Sequence, residues 1–322
     1  MRRLAIALVS LALVAAALLG IGLWSVSEMA LRPGWYEHRT PEQGLRPAGE
    51  FTGWEGKTND PEQDFGYPFE TVEFAAEDGS TLRGWWIPGA PEARVAVVTV
   101  HGGGADRRDF LRHLPVFHEA GYPVLMFDCR EQGISDGDDR GVSFGVREHS
   151  DAIAAARYAR QRAKAQRVAI VGTSQGGASV ILAAAADPSI DAVISENPFT
   201  DVGSLIRDGA ADWDGRSVDT PTLVGWIADL TVWRVGADDI PSPLEAIASI
   251  GPRPLLLMHG TDDRVIPVAH THALHAAAPF AELWILEGAQ HAALFNANRD
   301  EWQRRVRSFL ERSVGRPLNP RS

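Results

Sequence analysis

An apolar strand that runs straight into an alanine-rich helix through Gly172-Thr173-Ser174-Gln175-Gly176 constrains this chain more than any other feature. Residues 168–171 read as the strand and residues 175–186 as the helix, with only a tight turn between them. A strand that is apolar on both faces must be covered on both, which calls for a parallel sheet between layers of helix. The same alternation recurs along the chain. Residues 71–76 and 81–87 flank the turn Asp78-Gly79-Ser80 and predict an antiparallel hairpin. Residues 94–100, 124–127, 192–195, 255–258 and 283–286 predict further strands, and residues 107–120, 145–165 and 302–310 predict helices. The expected fold is α/β, with a mixed, mostly parallel eight-stranded sheet and helices on both faces.

The glycine-flanked turn places Ser174 at a strand's carboxyl end and a helix's amino terminus. A serine there projects its oxygen above the sheet edge, beside helix N–H groups and their partial positive charge. A serine hydroxyl is a weak nucleophile at neutral pH and needs a base that is itself oriented by a carboxylate. Asp262 and Asp263, just past the strand at 255–258, both qualify as the acid. His291, in Glu287-Gly288-Ala289-Gln290-His291, is the one histidine of ten that follows them in a strand-end loop. His101-Gly102-Gly103-Gly104 follows another strand and offers backbone N–H groups to a developing oxyanion. Gly103 is the expected first donor and Gln175, next to the serine, the second. His270, His272 and His275 fall on a predicted helix, where solvent exposure is expected rather than a metal site. Cys129, the single cysteine, permits no internal disulfide and reads as a buried thiol.

Residues 200–249 interrupt the alternation and carry Trp213, Trp226 and Trp233. They read as a small helical cap that shapes a pocket and excludes water; the plainer alternative is an insertion that only packs on the sheet. The amino terminus differs from the rest. Arg2-Arg3 precedes an uncharged apolar stretch from Leu4 to Trp24, and about 20 such residues span the roughly 30 Å hydrocarbon core of a bilayer. The positive-inside rule then puts the N-terminus in the cytoplasm and the main domain beyond the membrane. A signal peptide cleaved at Ser25-Val26-Ser27 is the alternative, although the apolar run exceeds the usual h-region. The expected organisation is an anchor over residues 1–27, an irregular Pro- and Gly-rich strap over 28–66, the main domain over 67–315 and a disordered tail over 316–322. A formal net charge of −11 argues against nucleic acid as a partner.

Over residues 69–310 these motifs resemble the α/β-hydrolase superfamily, and the chain order Ser174, Asp, His291 is the one that fold uses. The run from His259 to Pro267 is similar to the family's H-G-x-x-D-x-x-(V/I)-P, which implies Asp263 as the acid and Asp262 as a turn residue. Asp128-Cys129-Arg130-Glu131-Gln132-Gly133-Ile134-Ser135-Asp136-Gly137 is similar to the loop D-x-R-G-x-G-x-S-x-G, departing from it where Glu131 or Gln132 replaces glycine. In the family this loop is mainly structural, so Asp136, Asp138 and Asp139 are expected in a solvated turn and not on calcium. The hairpin with Gly84-Trp85-Trp86 resembles a branch of membrane-anchored esterases and acyl-thioesterases. The resemblance implies a serine hydrolase that cleaves a carboxylic ester or thioester through an acyl-enzyme, with no metal and no cofactor. A serine peptidase of the same fold and a non-catalytic adaptor are the alternatives. Acyl length, leaving group and oligomeric state are not encoded in any of these motifs.

Overall fold

In a computed structural model of the chain, residues 2–47, 59–211 and 221–315 are described; Trp213 and the expected tail at 316–322 lie outside them. Strands β1 (Glu70–Ala75), β2 (Thr81–Ile87), β3 (Val95–Val100), β4 (Val124–Asp128), β5 (Arg167–Thr173), β6 (Ala192–Glu196), β7 (Leu255–Gly260) and β8 (Glu282–Leu286) form one sheet. Their order is β1-β2-β4-β3-β5-β6-β7-β8. β2 is antiparallel to β1 and β4, and every later pairing is parallel. The helices are α1 (Arg2–Leu31), α2 (Pro61–Phe65), α3 (Leu114–His118), α4 (Glu148–Ala163), α5 (Gln175–Ala186), α6 (Val202–Ala211), α7 (Pro221–Val235), α8 (Pro243–Ala246), α9 (Ala269–Ala277), α10 (Leu294–Ala297) and α11 (Arg299–Ser313).

Side-chain alternation along the strands builds two cores, one on each face of the sheet. Ala96, Val98 and Val100 of β3 pack with Ala156 of α4 and Val180 of α5. Val95 and Val97 point the other way, into a core that holds Phe117 of α3 and Trp302 of α11. The doubly covered parallel sheet expected from the sequence is therefore present.

Three helices differ from their predicted spans for local reasons. Residues 107–120 split into a 3-10 turn, Arg107–His113, and α3. Pro115 lacks the N–H that an unbroken α-helix would need, so it can only stand in a first turn. The helix predicted from residue 145 starts at Glu148, because Phe144 and Gly145 take φ of 54° and 92°. α11 starts three residues early, at Arg299, where the Asn298 side chain accepts from the Glu301 N–H.

The cap comprises α6, α7 and α8. It shares a third core with the amino-terminal helix, in which Leu31 packs with Phe144, Phe199, Val202, Val235 and Ile266. α1 is long and apolar enough to cross a membrane and is unburied over that window. It does not stop at residue 27 but continues to Leu31, since its last turns have the domain to pack against. Arg32, Pro33 and the residues up to 47 then run as a strap across the loop after β4. Within it the Arg39 N–H donates to the Gly133 carbonyl at 3.0 Å.

Beneath the strap, the Asp128 carboxylate at the end of β4 accepts from the Arg107 N–H, Nε and Nη2 and from the Ile134 N–H, at 2.6–3.0 Å. Both side chains are buried. Burial opposes its charge, but Arg107 and these bonds hold the carboxyl below the usual carboxylate range. Asp128→Ala strands the Arg107 guanidinium without its counter-ion and is expected to cost about 3–5 kcal/mol, read as a lower midpoint in urea at unchanged slope.

Candidate active site

β5 ends at Thr173 and α5 begins at Gln175, leaving Ser174 alone to make the turn. Its backbone takes φ 56° and ψ −122°, a conformation that L-residues rarely adopt and that costs on the order of 1–3 kcal/mol. Two bonds hold it: the Ser174 N–H donates to the Glu196 carbonyl at 2.8 Å, and the Ser174 carbonyl accepts from the Ala178 N–H at 3.1 Å. The flanking glycines are required by contact. A Cβ on Gly172 would lie 2.2 Å from the Gly176 carbonyl oxygen, and one on Gly176 would lie 2.2 Å from that of Val100.

The three side chains drawn from the ends of β5, β7 and β8 meet. His291 Nε2 lies 2.9 Å from Ser174 Oγ, and His291 Nδ1 lies 2.7 Å from Asp263 Oδ2. Asp262 faces solvent. Asp263 is almost fully enclosed and its acceptor sites are filled. Oδ1 accepts from the Val265 and Ile266 N–H groups at 2.9 and 2.8 Å, and Oδ2 accepts from Asn197 Nδ2 at 2.8 Å. His259 Nε2 lies 3.2 Å from the same oxygen. Burial favours the neutral acid, but bonds from His259, His291 and the Ile266 amide prevail and hold the carboxyl well below the usual range. The line Ser174–His291–Asp263 can thus pass a proton from serine to imidazole while a fixed anion faces the far ring nitrogen.

The loop after β3 is organised so that one amide is left over. Gly102 N–H donates to Asp109 Oδ2 at 2.8 Å and Gly104 N–H donates to Gln132 Oε1 at 3.0 Å. Among the described residues, neither the Gly103 N–H nor the Gln175 N–H has a partner. Asp109 is buried, which pushes its carboxyl up against the opposing pull of Arg112. Trp35, from the strap, lies over the loop: a Cβ on Gly104 would come within 2.6 Å of its ring.

Several contributors escape a reading of the sequence. Asn197, directly after β6 with φ of 50°, belongs to no motif that marks it in the sequence. Asp109 looks like an ordinary polar residue until the fold buries it, and His259, which opens the H-G-x-x-D run, meets Asp263 only in the folded chain. His270 is a correction: it is buried, not exposed, with Nδ1 against Thr200 Oγ1 at 2.9 Å and Nε2 against Asp208 Oδ2 at 2.8 Å, so it pins α9 to α6. Cys129 is buried, and burial with the nearby Asp151 raises its thiol well above its ordinary value. Glu131, which stands where the related loop has glycine, adopts φ of 59°. Its buried carboxylate accepts from Tyr36 Oη and from the Asp138 N–H, both at 2.7 Å, which offsets the strained backbone. Asp136 and Asp138 are engaged by Arg83 and by Arg140 and Arg147.

The site opens into a cavity of about 770 Å³ between the sheet, the cap and the end of α1. Ser174, Gln175 and His291 form its polar end. The rest of the lining is aliphatic, aromatic, proline or glycine, and no charged side chain faces in among the described residues. Trp226 and Trp233 are not in that lining; α7 contributes Leu223, Val224 and Ile227 instead.

The chain shows clear likeness to known proteins. Residues 116–316, well over half its length, match the model of the prolyl oligopeptidase family. It is 30% identical over 240 residues to the uncharacterized protein YfhR of Salmonella typhi, covering 68% of this chain and 73% of that one. It is 37% identical over 133 residues to the quorum-quenching protein AidA of Acinetobacter baumannii, covering 40% and 44% respectively. An esterase of Pyrococcus furiosus superposes with a TM-score of 0.65 at 25% identity, over 80% of this chain and 97% of that one. The strand order, the strained serine turn at the end of β5 and this match over residues 116–316 together make the chain a hydrolase of the prolyl oligopeptidase family, within the α/β-hydrolase superfamily.

Proposed function

We propose that this hydrolase cleaves a carboxylic ester or thioester with an apolar acyl chain, through an acyl-enzyme on Ser174. The observation that carries this reading is an uncharged, apolar cavity ending on Ser174 and His291. His291 Nε2 takes the Ser174 proton as Oγ attacks the carbonyl carbon, and the Gly103 and Gln175 N–H groups receive the oxyanion. Asp263 fixes the imidazole tautomer and faces the positive charge as it forms. Collapse expels the alcohol or thiol with the proton from His291, and a water, activated by the same imidazole, releases the acid.

The family name raises a peptidase reading, which the cavity disfavours. Each peptide residue brings a backbone donor and acceptor that must stay paired, and walls of aliphatic carbon leave them without partners. The geometry also disfavours an adaptor, which needs neither a hydrogen-bonded serine–histidine pair nor an uncommitted amide beside it.

The anchor reading is part of this proposal: α1 spans the membrane with Arg2 and Arg3 on the cytoplasmic side and the catalytic domain on the other. Cleavage at Ser25-Val26-Ser27 would discard Val26 from the cavity wall and the bond from Arg234 Nη1 to Ser27 Oγ at 2.7 Å.

A series of p-nitrophenyl esters and short peptide p-nitroanilides tests the reading. Each added methylene should raise kcat/KM roughly fourfold until the cavity is filled, the equivalent of about 0.8 kcal/mol per buried CH2, while the peptides stay uncleaved. Cleavage of peptides in preference to esters reverses the assignment.

A further inference from the structure

The wall of the cavity is made in part by the apolar helix itself. Val26, Met29 and Ala30, on the last turns of α1, line the same space as Ser174. The helix has no break between its exposed apolar stretch and these residues. At 1.5 Å per residue, Met29 stands only about 8 Å along the axis from Trp24. That is comparable to the headgroup layer on one side of a bilayer, roughly 5–8 Å. The cavity therefore begins where the hydrocarbon ends.

The junction is fastened. Arg234 of α7 donates to Ser27 Oγ, pairs with Glu28 and lies 4.1 Å over the Trp24 ring. Leu31 is buried, and its carbonyl accepts from the Val142 N–H at 3.0 Å. The position of the helix in a bilayer is thus passed to the cap without slack. Around the mouth the exposed side chains are largely apolar, with Asp229 of α7, paired to Arg207, standing between the two tryptophans. Leu223, Trp226 and Trp233 share one face of α7 by their spacing of three and seven, with the two tryptophans 47% and 64% exposed. Val26, Met29 and Val265 add to the same rim. Indole rings outside a core and beside a spanning helix are suited to the headgroup boundary. At the cavity's other end, the amide of Gln175 is buried with neither its Nε2 nor its Oε1 bonded. It is free to bond a hydroxyl or carbonyl next to the scissile ester.

We infer that the substrate is a membrane-resident lipid ester, which passes its acyl chain from the bilayer into the cavity between the last turns of α1 and the cap helix α7, with its polar end at Ser174 and Gln175. This rests on the ester-hydrolase reading above. A bilayer is the occupant that fits the rim, because the exposed tryptophans of α7, with the polar Asp229 between them, form an amphipathic interfacial face beside a helix of bilayer length.

The test uses the full chain in phosphatidylcholine vesicles with two substrates, a palmitoyl ester of 4-methylumbelliferone embedded in the bilayer and the water-soluble acetate. Trp226→Ser combined with Trp233→Ser should slow the embedded ester at least fivefold and the acetate less than twofold. Equal loss on both, or loss on neither, overturns the inference. A second reading is independent of turnover. Cys129 is buried, so a cysteine placed at Trp233→Cys takes an environment-sensitive fluorophore selectively. Spin-labelled phosphatidylcholine should quench it at least twofold. It should leave a label at Glu92→Cys unquenched, since Glu92 is exposed at the opposite end of the sheet, ahead of β3. Absence of quenching at position 233 overturns the inference whatever the variant's activity. If the unmodified chain hydrolyses neither ester, the ester-hydrolase reading falls, while quenching still reports where the cap sits.

Discussion

Ser174→Ala is expected to lower kcat for a short p-nitrophenyl ester by about 10⁶-fold and to abolish labelling by a fluorophosphonate, the loss seen when a catalytic triad fails as a unit. The reason is the geometry at the end of β5. Ser174 Oγ is the only hydroxyl within hydrogen-bond reach of His291 Nε2 among the described residues, and the strained turn that presents it has no other evident use. Alanine removes the attacking atom but leaves the uncommitted Gly103 and Gln175 amides and the apolar cavity. KM should therefore change little, and some residual rate over water should persist. His291→Ala should cost a similar factor, and the double variant no more than either alone, because the two groups act in one step. Unchanged ester hydrolysis in Ser174→Ala would sink the mechanism, and an unlabelled native serine would revive the adaptor reading.

Asp263→Asn is expected to reduce kcat by about 10⁴-fold, with little change in binding, whereas Asp262→Asn should fall within twofold. An asparagine at 263 presents an amide where His291 Nδ1–H now finds an anion, and the favoured arrangement turns the imidazole to the wrong tautomer. It also sets a second NH2 group against Asn197 Nδ2, which now donates to the carboxylate at 2.8 Å. The pH sense follows from the depressed acid. A carboxyl held below its unfolded value contributes stability at pH above the ordinary carboxylate range, and that contribution is lost as pH falls through and below that range. Midpoints in urea for the native chain and Asp263→Asn should accordingly converge in acid. A small effect on kcat at neutral pH, or convergence in alkali instead, contradicts the assignment of Asp263.

Much of this was legible in the residues alone. The buried strands announce themselves as short apolar runs, and the glycines of the serine turn announce a close approach that the contacts at Gly172 and Gly176 explain. His291 stood out by its place after a strand. Helix ends were less legible, because Pro115 and the positive φ at Phe144 cut short patterns that periodicity alone would continue. Which cap side chains line the cavity was not legible either. Composition reports that a ring is present but not which way its helix turns it, and α7 turns Trp226 and Trp233 outward while Val224 and Ile227 line the cavity.

The sequence by itself determined the α/β architecture, the elbow serine and the order of its partners, because periodicity, turn glycines and strand-end loops are local properties written every few residues. It also marked an apolar segment of bilayer length. The motif resemblance already points to Asp263 over Asp262 and the loop position to Gly103; only the tertiary structure brings Asp263 within 2.7 Å of His291, leaves the Gly103 amide uncommitted, and sets Asn197, His259 and Asp109 around the site. That structure alone brought the end of the apolar helix into the cavity wall, 144 residues before Ser174 at the nearest, counted from Ala30. Those are contacts between segments far apart in the chain, and no local pattern encodes which distant surface a side chain will meet.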